Sequence, residues 1–213
     1  RLLEETTPEP GPWRLQSMTA LDELVKLLKK LPGMGEKSAT RLAYHLIATD
    51  KNYNNALGEA ISTLQDKIHP CPICGCYSEG DKCPYCDDEK RDKTLLCVVE
   101  EPQDTLSIAQ SGVYNGLFHV LGGAINPING IGPGSLRIKE LKDRIEKGSF
   151  KEVIIATNPT EEGDTTALYL RQLLSPFENL TLTRLASGIP IGGDLGYVDK
   201  LTLARSMRGR IKL

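Results

Sequence analysis

Two closely spaced pairs of cysteines constrain the fold of this 213-residue chain more than any other feature. The sequences CPIC at 71–74 and CPYC at 83–86 are separated by eight residues, within a segment, 69–88, that is rich in proline, glycine and charge. A segment of that composition buries too little apolar surface to fold unaided, so something must crosslink it. Two CxxC turns that face each other provide the four thiolates of a tetrahedral Zn²⁺ site.

We therefore predict one structural zinc ion per chain, held by the four cysteines of these pairs: Cys71, Cys74, Cys83 and Cys86. Thiolates fill all four coordination positions, which leaves none for water or substrate. The alternatives are disulfide bonds, which a reducing cytosol disfavours, and a redox CxxC motif, which normally occurs once beside a βαβ unit. Cys76 has no matching partner, Cys97 falls within a predicted strand, and His69 is expected to face solvent rather than replace a ligand.

Composition and charge indicate a globular protein with a limited basic surface. Hydrophobic residues make up 39% of the chain, no stretch is apolar for the roughly 20 residues that a membrane helix needs, and the N-terminus lacks the pattern of a signal peptide. We expect a cytoplasmic protein without membrane contact. The net charge is −2, but basic residues cluster in two places, which are residues 26–41 and the tail beyond Leu201 with Arg205, Arg208, Arg210 and Lys212.

The spacing of apolar residues changes from helical to alternating helix and strand along the chain. Helical periodicity predicts an all-helical N-terminal part with helices over 21–31, 36–48 and 56–68. Beyond Arg91, four apolar runs of strand length alternate with helical stretches. The predicted strands are 95–99, 117–121, 153–156 and 180–185, and the predicted helices are 105–111, 136–147 and 165–174. This order predicts an α/β fold with flanking helices, whose mostly parallel sheet is covered on both faces.

The segment LPGMGEKSA at 31–39 joins the first two predicted helices. Gly33 and Gly35 allow a sharp turn that exposes backbone N–H groups at a helix start, where a phosphate binds readily. Lys37 and Arg41 lie one helical turn apart and add positive charge. The segment lacks the GxxxxGK[ST] spacing of a nucleotide-binding loop, and no strand precedes it. An ordinary glycine-terminated helix turn is the structural alternative to a phosphate contact.

Carboxylates follow two of the predicted strands. Glu100 ends the first strand, and ATNPTEEGD at 156–164 follows a later one. Parallel sheets place their functional sites at the carboxyl ends of the strands. We therefore expect these residues to lie together at that edge of the sheet.

Three parts of the chain resemble known families. The segment LPGMGEKSA resembles the helix-hairpin-helix motif of DNA-repair proteins, in which hairpin amides hold a backbone phosphate whatever the DNA sequence. Glu100 and ATNPTEEGD resemble the metal site of Toprim domains, which combines a strand-end Glu with a DPDREGE-like run. Asn158 and Thr160 stand at the two Asp positions of that run, whereas Glu162 and Asp164 keep its later acidic positions. Loss of both aspartates should greatly weaken Mg²⁺ binding.

A helix-hairpin-helix, a four-cysteine module and a degenerate Toprim domain, in this order, resemble the RecR family of bacterial recombination mediators over residues 18–213. Further marks are GIGP at 130–133 and GIPIGGDL at 188–195, although Asp164 replaces the usual Glu and Ser187 a common His. The resemblance implies ring-like homo-oligomers that encircle DNA. It also implies that they act with RecO, and in many bacteria RecF, to load RecA onto single strands coated with SSB.

Five parts follow from this reading: a flexible leader at 1–17, a helix-hairpin-helix module at 18–69, a four-cysteine zinc module at 70–90, a Toprim-like domain at 91–188 and a C-terminal oligomerisation segment at 189–213. The predicted function is that of a DNA clamp and adaptor without turnover. The rival is a metal-dependent Toprim nuclease or nucleotidyl transferase that uses Glu100, Glu162 and Asp164. A purely structural zinc protein would not account for the hairpin and its lysines.

Two sets of side chains are predicted to carry this function. The DNA-binding residues are Lys29, Lys30, Gly33, Gly35, Lys37 and Arg41. The resemblance further implies that an acidic surface docks RecO, and the residues assigned to it are Glu100, Asn158, Glu162 and Asp164. An acidic surface suits a basic partner.

Overall fold

The computed structural model describes residues 19–211. The chain divides into two units between Leu64 and Gln65. The leader expected at 1–17 and the basic tail residue Lys212 lie outside the described residues.

The N-terminal unit consists of helices, as the periodicity predicts. They are α1 (Ala20–Leu28), α2 (Glu36–Ala48) and α3 (Lys51–Lys67), of which the last continues beyond the unit. A capping box between Thr19 and Asp22 starts α1. α3 begins at Lys51 rather than Ala56 because the Asp50 carboxylate accepts hydrogen bonds from two amides of the first turn.

Little of the N-terminal unit is buried. Within its described residues only Ala39 and Ala43 are fully buried, and both lie on the same face of α2. The side-chain amide of Asn54 donates to the Leu46 carbonyl at 2.7 Å and joins the start of α3 to the end of α2. The hairpin between α1 and α2 is thus fixed by small apolar contacts and backbone turns rather than by a large core.

The second unit contains a small antiparallel ribbon, a four-stranded sheet and five α-helices within the described residues. Its elements are β1 (His69–Pro70), β2 (Tyr77–Ser78), α4 (Pro84–Asp87), β3 (Asp92–Val99), α5 (Pro102–Gln110), β4 (Gly116–Val120), α6 (Ile138–Lys147), β5 (Glu152–Ile155), α7 (Glu161–Leu174), β6 (Thr181–Arg184) and α8 (Lys200–Arg208). The sheet is entirely parallel, with strand order β4-β3-β5-β6. The predicted α/β class is confirmed.

Alternate residues of the central strand β3 enter two separate cores, which explains why its sequence is a continuous apolar run. Leu96 and Val98 pack with residues of α6 and α7, among them Leu141 and Leu170. Cys97 and Val99 face the other side and pack with residues of β4, α5 and the four-cysteine segment. One face of the sheet is therefore covered by helices, and the other largely by the cysteine segment.

Helix caps account for the main differences from the predicted boundaries. α5 begins at Pro102 rather than Thr105, because Glu101 and Asp104 form a capping box around the helix start. α7 begins at Glu161 rather than Thr165, because the Thr160 hydroxyl accepts the Gly163 amide at 3.1 Å. None of the helices within residues 19–211 combines the length and apolar character needed to cross a membrane.

A fully buried histidine lies in β4. The Nε2–H group of His119 donates to the Arg137 carbonyl at 2.8 Å, and Nδ1 has no hydrogen-bond partner among the described residues. Burial, together with the nearby charges of Arg144 and Arg137, lowers the pKa of His119 to about 4. The imidazole is therefore neutral in the folded protein at neutral pH.

We predict that His119 makes the folded protein less stable as the pH falls. The unfolded chain takes up this proton near the ordinary histidine pKa of about 6.5, whereas the folded chain does so only near 4. The stabilisation is present above pH about 6.5 and is lost as the pH falls towards the folded-state pKa. His119→Gln keeps a donor for Arg137 but does not titrate, so it should remove roughly 2–3 kcal/mol of the stability difference between pH about 7 and about 4.5.

Denaturant unfolding at the two pH values measures this difference. The matched control, His45→Gln, changes an exposed histidine on α2 and leaves His119 in place, so it should keep the pH dependence that His119 causes. Equal pH dependence in the parent and in His119→Gln would contradict the prediction.

Candidate functional site

The hairpin between α1 and α2 exposes the N-terminal end of a 13-residue helix. Gly33 has φ +74°, a conformation that favours glycine, and Gly35 is the N-cap of α2. A side-chain cap is absent at Gly35 within the described residues, so the first-turn amides of α2 remain available to an external acceptor. Such an end binds a phosphate oxygen through backbone N–H groups and the helix dipole.

Basic side chains surround this hairpin. Lys30, Lys37 and Arg41 are exposed, and Lys29 forms an ion pair with Glu36. The structure thus brings the six predicted DNA-binding residues together in one unit, at the end of α1, the hairpin and the start of α2. Glu36 partly neutralises Lys29, which the sequence pattern did not indicate.

The four predicted cysteine ligands lie together in the second unit. Their Sγ atoms all lie within 4.8 Å of one another, and Cys74 Sγ is 3.3 Å from Cys83 Sγ. The first pair is held by a turn in which the Gly75 amide donates to the Cys71 carbonyl at 2.8 Å. In the second pair, Cys86 N–H donates to the Cys83 carbonyl at 3.0 Å as α4 begins. Four sulfurs at this spacing can hold one thiophilic metal ion.

The remaining candidates near the cluster differ in burial. Cys76 is not among the four clustered residues, but it is buried and its amide lies 3.5 Å from Cys74 Sγ. Cys97 belongs to the core of the sheet, as predicted, and burial raises the pKa of its thiol to about 12. His69 is exposed in β1. A spacing argument could not have found the burial of Cys76, because it has no second cysteine at CxxC distance.

The cysteine segment is attached to the sheet by directional contacts. The Val120 amide donates to the Cys74 carbonyl at 2.7 Å, and Arg137 Nη2 donates to the Pro72 carbonyl at 3.1 Å. The ring of Tyr85 meets that of Phe118 edge to face, with 4.9 Å between centroids. The four-sulfur cluster is therefore packed against the sheet.

Glu100 lies at the carboxyl edge of the sheet, where it was expected, but it is buried, with 7% of its surface exposed. Its Oε1 accepts the backbone amide of Asn158 at 2.9 Å, and its Oε2 accepts the side-chain amide of Asn158 at 2.6 Å. Its backbone carbonyl accepts the amides of Gly122 and Gly123. Glu100 thereby fixes the loops that follow both neighbouring strands.

The start of α7 packs against this pair without room for a side chain at Gly163. A Cβ atom there would clash with the Asn158 carbonyl oxygen and would lie 2.9 Å from Glu100 Oε1. The Thr157 hydroxyl donates to the Gly163 carbonyl at 2.8 Å. The glycine is thus required for close approach of the helix to the sheet edge.

The expected acidic surface of Glu100, Glu162 and Asp164 is wrong for two of its three members. Glu100 is buried and bonded to Asn158, as described above. Asp164 accepts a hydrogen bond from Arg184 Nη2 at 2.6 Å and another from Arg205, and the bond to Arg184 is the main reason that the pKa of Asp164 is lowered. Only Glu162 is exposed, and its Oε1 accepts the Asn126 side-chain amide at 3.3 Å.

Glu100, Glu162 and Asp164, the residues of the rival catalytic hypothesis, each have a hydrogen-bond partner outside this set. Within residues 19–211, the cysteines form the only group of three or more side chains with metal-ligand spacing. Arg184 and Arg205, which neutralise Asp164, were missed from the sequence. Arg184 could have been suspected because it lies near the end of a predicted strand at the same edge, whereas nothing in the local pattern of α8 indicates a partner 41 residues away for Arg205.

Comparisons with known proteins match three parts of the chain to family models. Residues 21–64 match the model described as RecR, helix-hairpin-helix; residues 94–186 match the Toprim domain; and residues 188–211 match RecR, C-terminal.

Similar proteins cover nearly the whole chain. A protein of Treponema denticola named Recombination protein RecR is 54% identical over 195 residues, which are 92% of this chain and 100% of that protein. Proteins with the same name from Treponema pallidum and Acidothermus cellulolyticus are 51% and 47% identical, over 90% and 91% of this chain and 94% and 96% of their own lengths.

Proposed function

The chain belongs to the RecR family of recombination proteins, and on that premise we propose that it is a cytoplasmic DNA clamp and adaptor in recombinational repair. In this role it binds DNA without sequence preference and helps RecO, and in many bacteria RecF, to load RecA onto SSB-coated single strands. The observation that carries the DNA-binding part is the hairpin with its free helix end and its exposed Lys37 and Arg41.

The apolar surface of the N-terminal helices supports self-association. α3 has 17 residues and none of them is buried, and several large apolar side chains of this unit are more than half exposed. These side chains are Leu27, Leu31, Tyr44, Ile47, Tyr53, Ile61 and Leu64. A second copy of the same chain would cover such a surface.

The tail provides a second apolar surface of the same kind. Ile191, Tyr197 and Ile211 are almost fully exposed, and Leu195, Leu201 and Met207 are more than half exposed. Two separate self-association surfaces allow a closed ring to form, because each copy can contact two neighbours. Several hairpins around one DNA would also turn weak phosphate contacts into useful avidity.

Zinc is the metal that the cysteine cluster fits best. Zn–S bonds of about 2.3 Å place tetrahedral sulfurs about 3.8 Å apart, and the four sulfurs lie within 4.8 Å of one another. All four donors are thiolates, so Cys71, Cys74, Cys83 and Cys86 would hold the ion in a structural role. When bound, zinc would crosslink the two CxxC turns and keep the cysteine segment folded against the sheet.

The docking surface for RecO is proposed at the start of α7. Glu161 and Glu162 are exposed there, whereas Glu100 and Asn158 satisfy each other and Asp164 is neutralised by two arginines. Glu100, Asn158 and Asp164 therefore support the docking surface by holding α7 in place. The two exposed glutamates meet the partner.

An absence of turnover is proposed from the chemistry of the same edge. A Toprim metal centre needs several carboxylate oxygens that converge on its cations. Here the strand-end Glu100 is bonded to an amide, and Asp164 is turned towards arginines. This arrangement does not favour nuclease or nucleotidyl-transferase chemistry.

The zinc proposal predicts one tightly bound zinc ion per chain. Cys71→Ser should lose most of the metal and loosen residues 69–88, because folding of this segment is coupled to metal binding. Elemental analysis measures the zinc, and amide hydrogen exchange measures the loosening. Cys97→Ala, which changes a cysteine outside the cluster, should retain full zinc content. Substoichiometric metal in carefully purified protein, or a Cys71→Ser variant with unchanged metal and protection, would contradict the proposal.

The DNA-binding proposal predicts that Lys37→Glu with Arg41→Glu abolishes DNA binding but leaves zinc content and oligomer size intact. The matched control reverses two exposed lysines of the second unit, Lys147→Glu with Lys151→Glu, and should bind far better than the hairpin variant. Fluorescence anisotropy at several salt concentrations and solution mass with and without DNA are the measurements. Log affinity should fall with log salt by roughly 0.7 to 0.9 per neutralised phosphate.

The salt slope and the fate of the DNA separate the possible outcomes. A slope too large for one hairpin indicates that several copies engage together. A monomer that binds DNA equally well after the double reversal would overturn both the hairpin and the ring. The DNA recovered after incubation with Mg²⁺ or Mn²⁺ should be intact, and cleavage or relaxation would favour the enzymatic alternative.

The docking proposal predicts that Glu161→Gln with Glu162→Gln weakens binding of RecO several-fold, mainly through slower association and a smaller salt dependence. Glu178→Gln, at an exposed acidic residue beyond the C-terminal end of α7, is the control. Surface plasmon resonance gives both rate constants. If the double variant binds RecO with the rate constants of the parent, the docking surface lies elsewhere.

A further inference from the structure

The match to the Toprim domain implies a divalent cation beside the strand-end carboxylate, and the donors around Glu100 do not fit such an ion. Both carboxylate oxygens of Glu100 accept N–H groups of Asn158, at 2.9 and 2.6 Å. A divalent cation of the Mg²⁺ class needs oxygen ligands and would be repelled by N–H donors aimed at the same oxygens. The side-chain amide of Asn158 therefore occupies the side of Glu100 that a cation would need.

Three other carboxylates near this edge have partners of their own. Asp164 is bonded to two arginines, Glu162 accepts an amide of Asn126, and Glu101 belongs to the capping box of α5. Among the described residues, Glu100 is thus left with Asn158 as its side-chain partner. A buried carboxylate requires such a partner, because an uncompensated buried charge is strongly destabilising.

We propose that the side-chain amide of Asn158 replaces the divalent cation as the electropositive partner of Glu100, and that this one residue makes the sheet edge independent of metal. The amide donates one hydrogen bond and the Asn158 backbone donates the other, so the pair bridges β3 and the loop after β5. Gly163 allows α7 to pack directly on this pair. In this arrangement an uncharged hydrogen-bond donor takes the role that a cation would have beside Glu100.

Replacement of the Asn158 amide nitrogen by an oxygen should restore the requirement for a cation. Asn158→Asp keeps the shape of the side chain but places a second carboxylate oxygen where the amide nitrogen lies, 2.6 Å from Glu100 Oε2. Two ionised carboxylates at that distance repel each other strongly. The pair must therefore either take up a proton or bind a cation. Asn158 itself is exposed, so water can complete the coordination of an ion held by two carboxylates, as Mg²⁺ prefers.

Thermal unfolding of the 213-residue chain, with its cysteine cluster loaded with zinc, tests this proposal without DNA or a protein partner. In buffer without added divalent cations, Asn158→Asp should lower the melting temperature by about 4–10 °C. Addition of MgCl2 or MnCl2 at millimolar concentration should restore most of that loss, because an ion that binds only the folded state stabilises it. The parent should shift by less than about 1 °C under the same addition.

Two control variants separate cation binding from simple loss of a hydrogen bond. Asn158→Ala removes the amide without adding charge, so its melting temperature should fall and not recover with MgCl2. The double variant Glu100→Gln with Asn158→Asp rebuilds a carboxylate and amide pair in the reverse order, and the side-chain oxygen of the introduced glutamine still accepts the backbone amide. It should recover most of the stability that Asn158→Asp loses and should not respond to MgCl2.

Each outcome decides the proposal. Recovery of Asn158→Asp by cations, together with a metal-insensitive double variant, supports it. A parent protein that is stabilised by MgCl2 as strongly as Asn158→Asp, or an Asn158→Asp protein that does not respond, would overturn it. If Asn158→Asp is too unstable to purify, the double variant alone decides, since its failure to fold would show that the polarity of the pair is not what stabilises this edge. None of these results depends on whether the protein binds DNA or RecO.

Discussion

The buried carboxylate of Glu100 is the interaction on which the carboxyl edge of the sheet depends. Glu100 directly follows the central strand β3. Its carbonyl accepts the amides of Gly122 and Gly123 after β4, and its carboxylate accepts those of Asn158 after β5. One residue therefore sets the path of the chain after both neighbouring strands. Because a buried charge without partners costs several kcal/mol, neither loop can depart from it cheaply, and the start of α7 at Gly163 is placed as a consequence.

The four-cysteine segment covers a face of the sheet that helices cover in most parallel folds. Cys97 and Val99 point towards it from β3, and Phe118 and Val120 do so from β4. A segment so rich in glycine, proline and charge can form a stable layer only if a crosslink replaces the missing apolar surface. The metal site proposed here and the burial of the sheet are thus one requirement, since loss of the crosslink would expose the core beneath it.

Local sequence patterns predicted most of the fold, but they could not predict contacts between residues that are distant in the sequence. The apolar runs of the strands and the CxxC spacing are signals within a few residues, so the class, the parallel sheet and the cysteine cluster followed from the sequence. The partnership of Asp164 with Arg205 spans 41 residues and depends on how the tail lies on the sheet unit. Likewise, the strand-end position of Glu100 was predicted, but its burial was not. Nothing in the sequence around a single glutamate indicates that an asparagine will donate hydrogen bonds to its carboxylate.

The N-terminal unit links stability to the proposed function. Within its described residues it buries only Ala39 and Ala43 completely, which is far too little apolar surface to stabilise a unit of this size alone. Its exposed apolar side chains, such as Ile61 and Leu64 on α3, would be covered in the proposed oligomer. The contact that brings several hairpins to one DNA would then also hold each hairpin in its binding geometry. On this reasoning, DNA affinity and folding of the N-terminal unit should both depend on assembly, because the same apolar surface serves both.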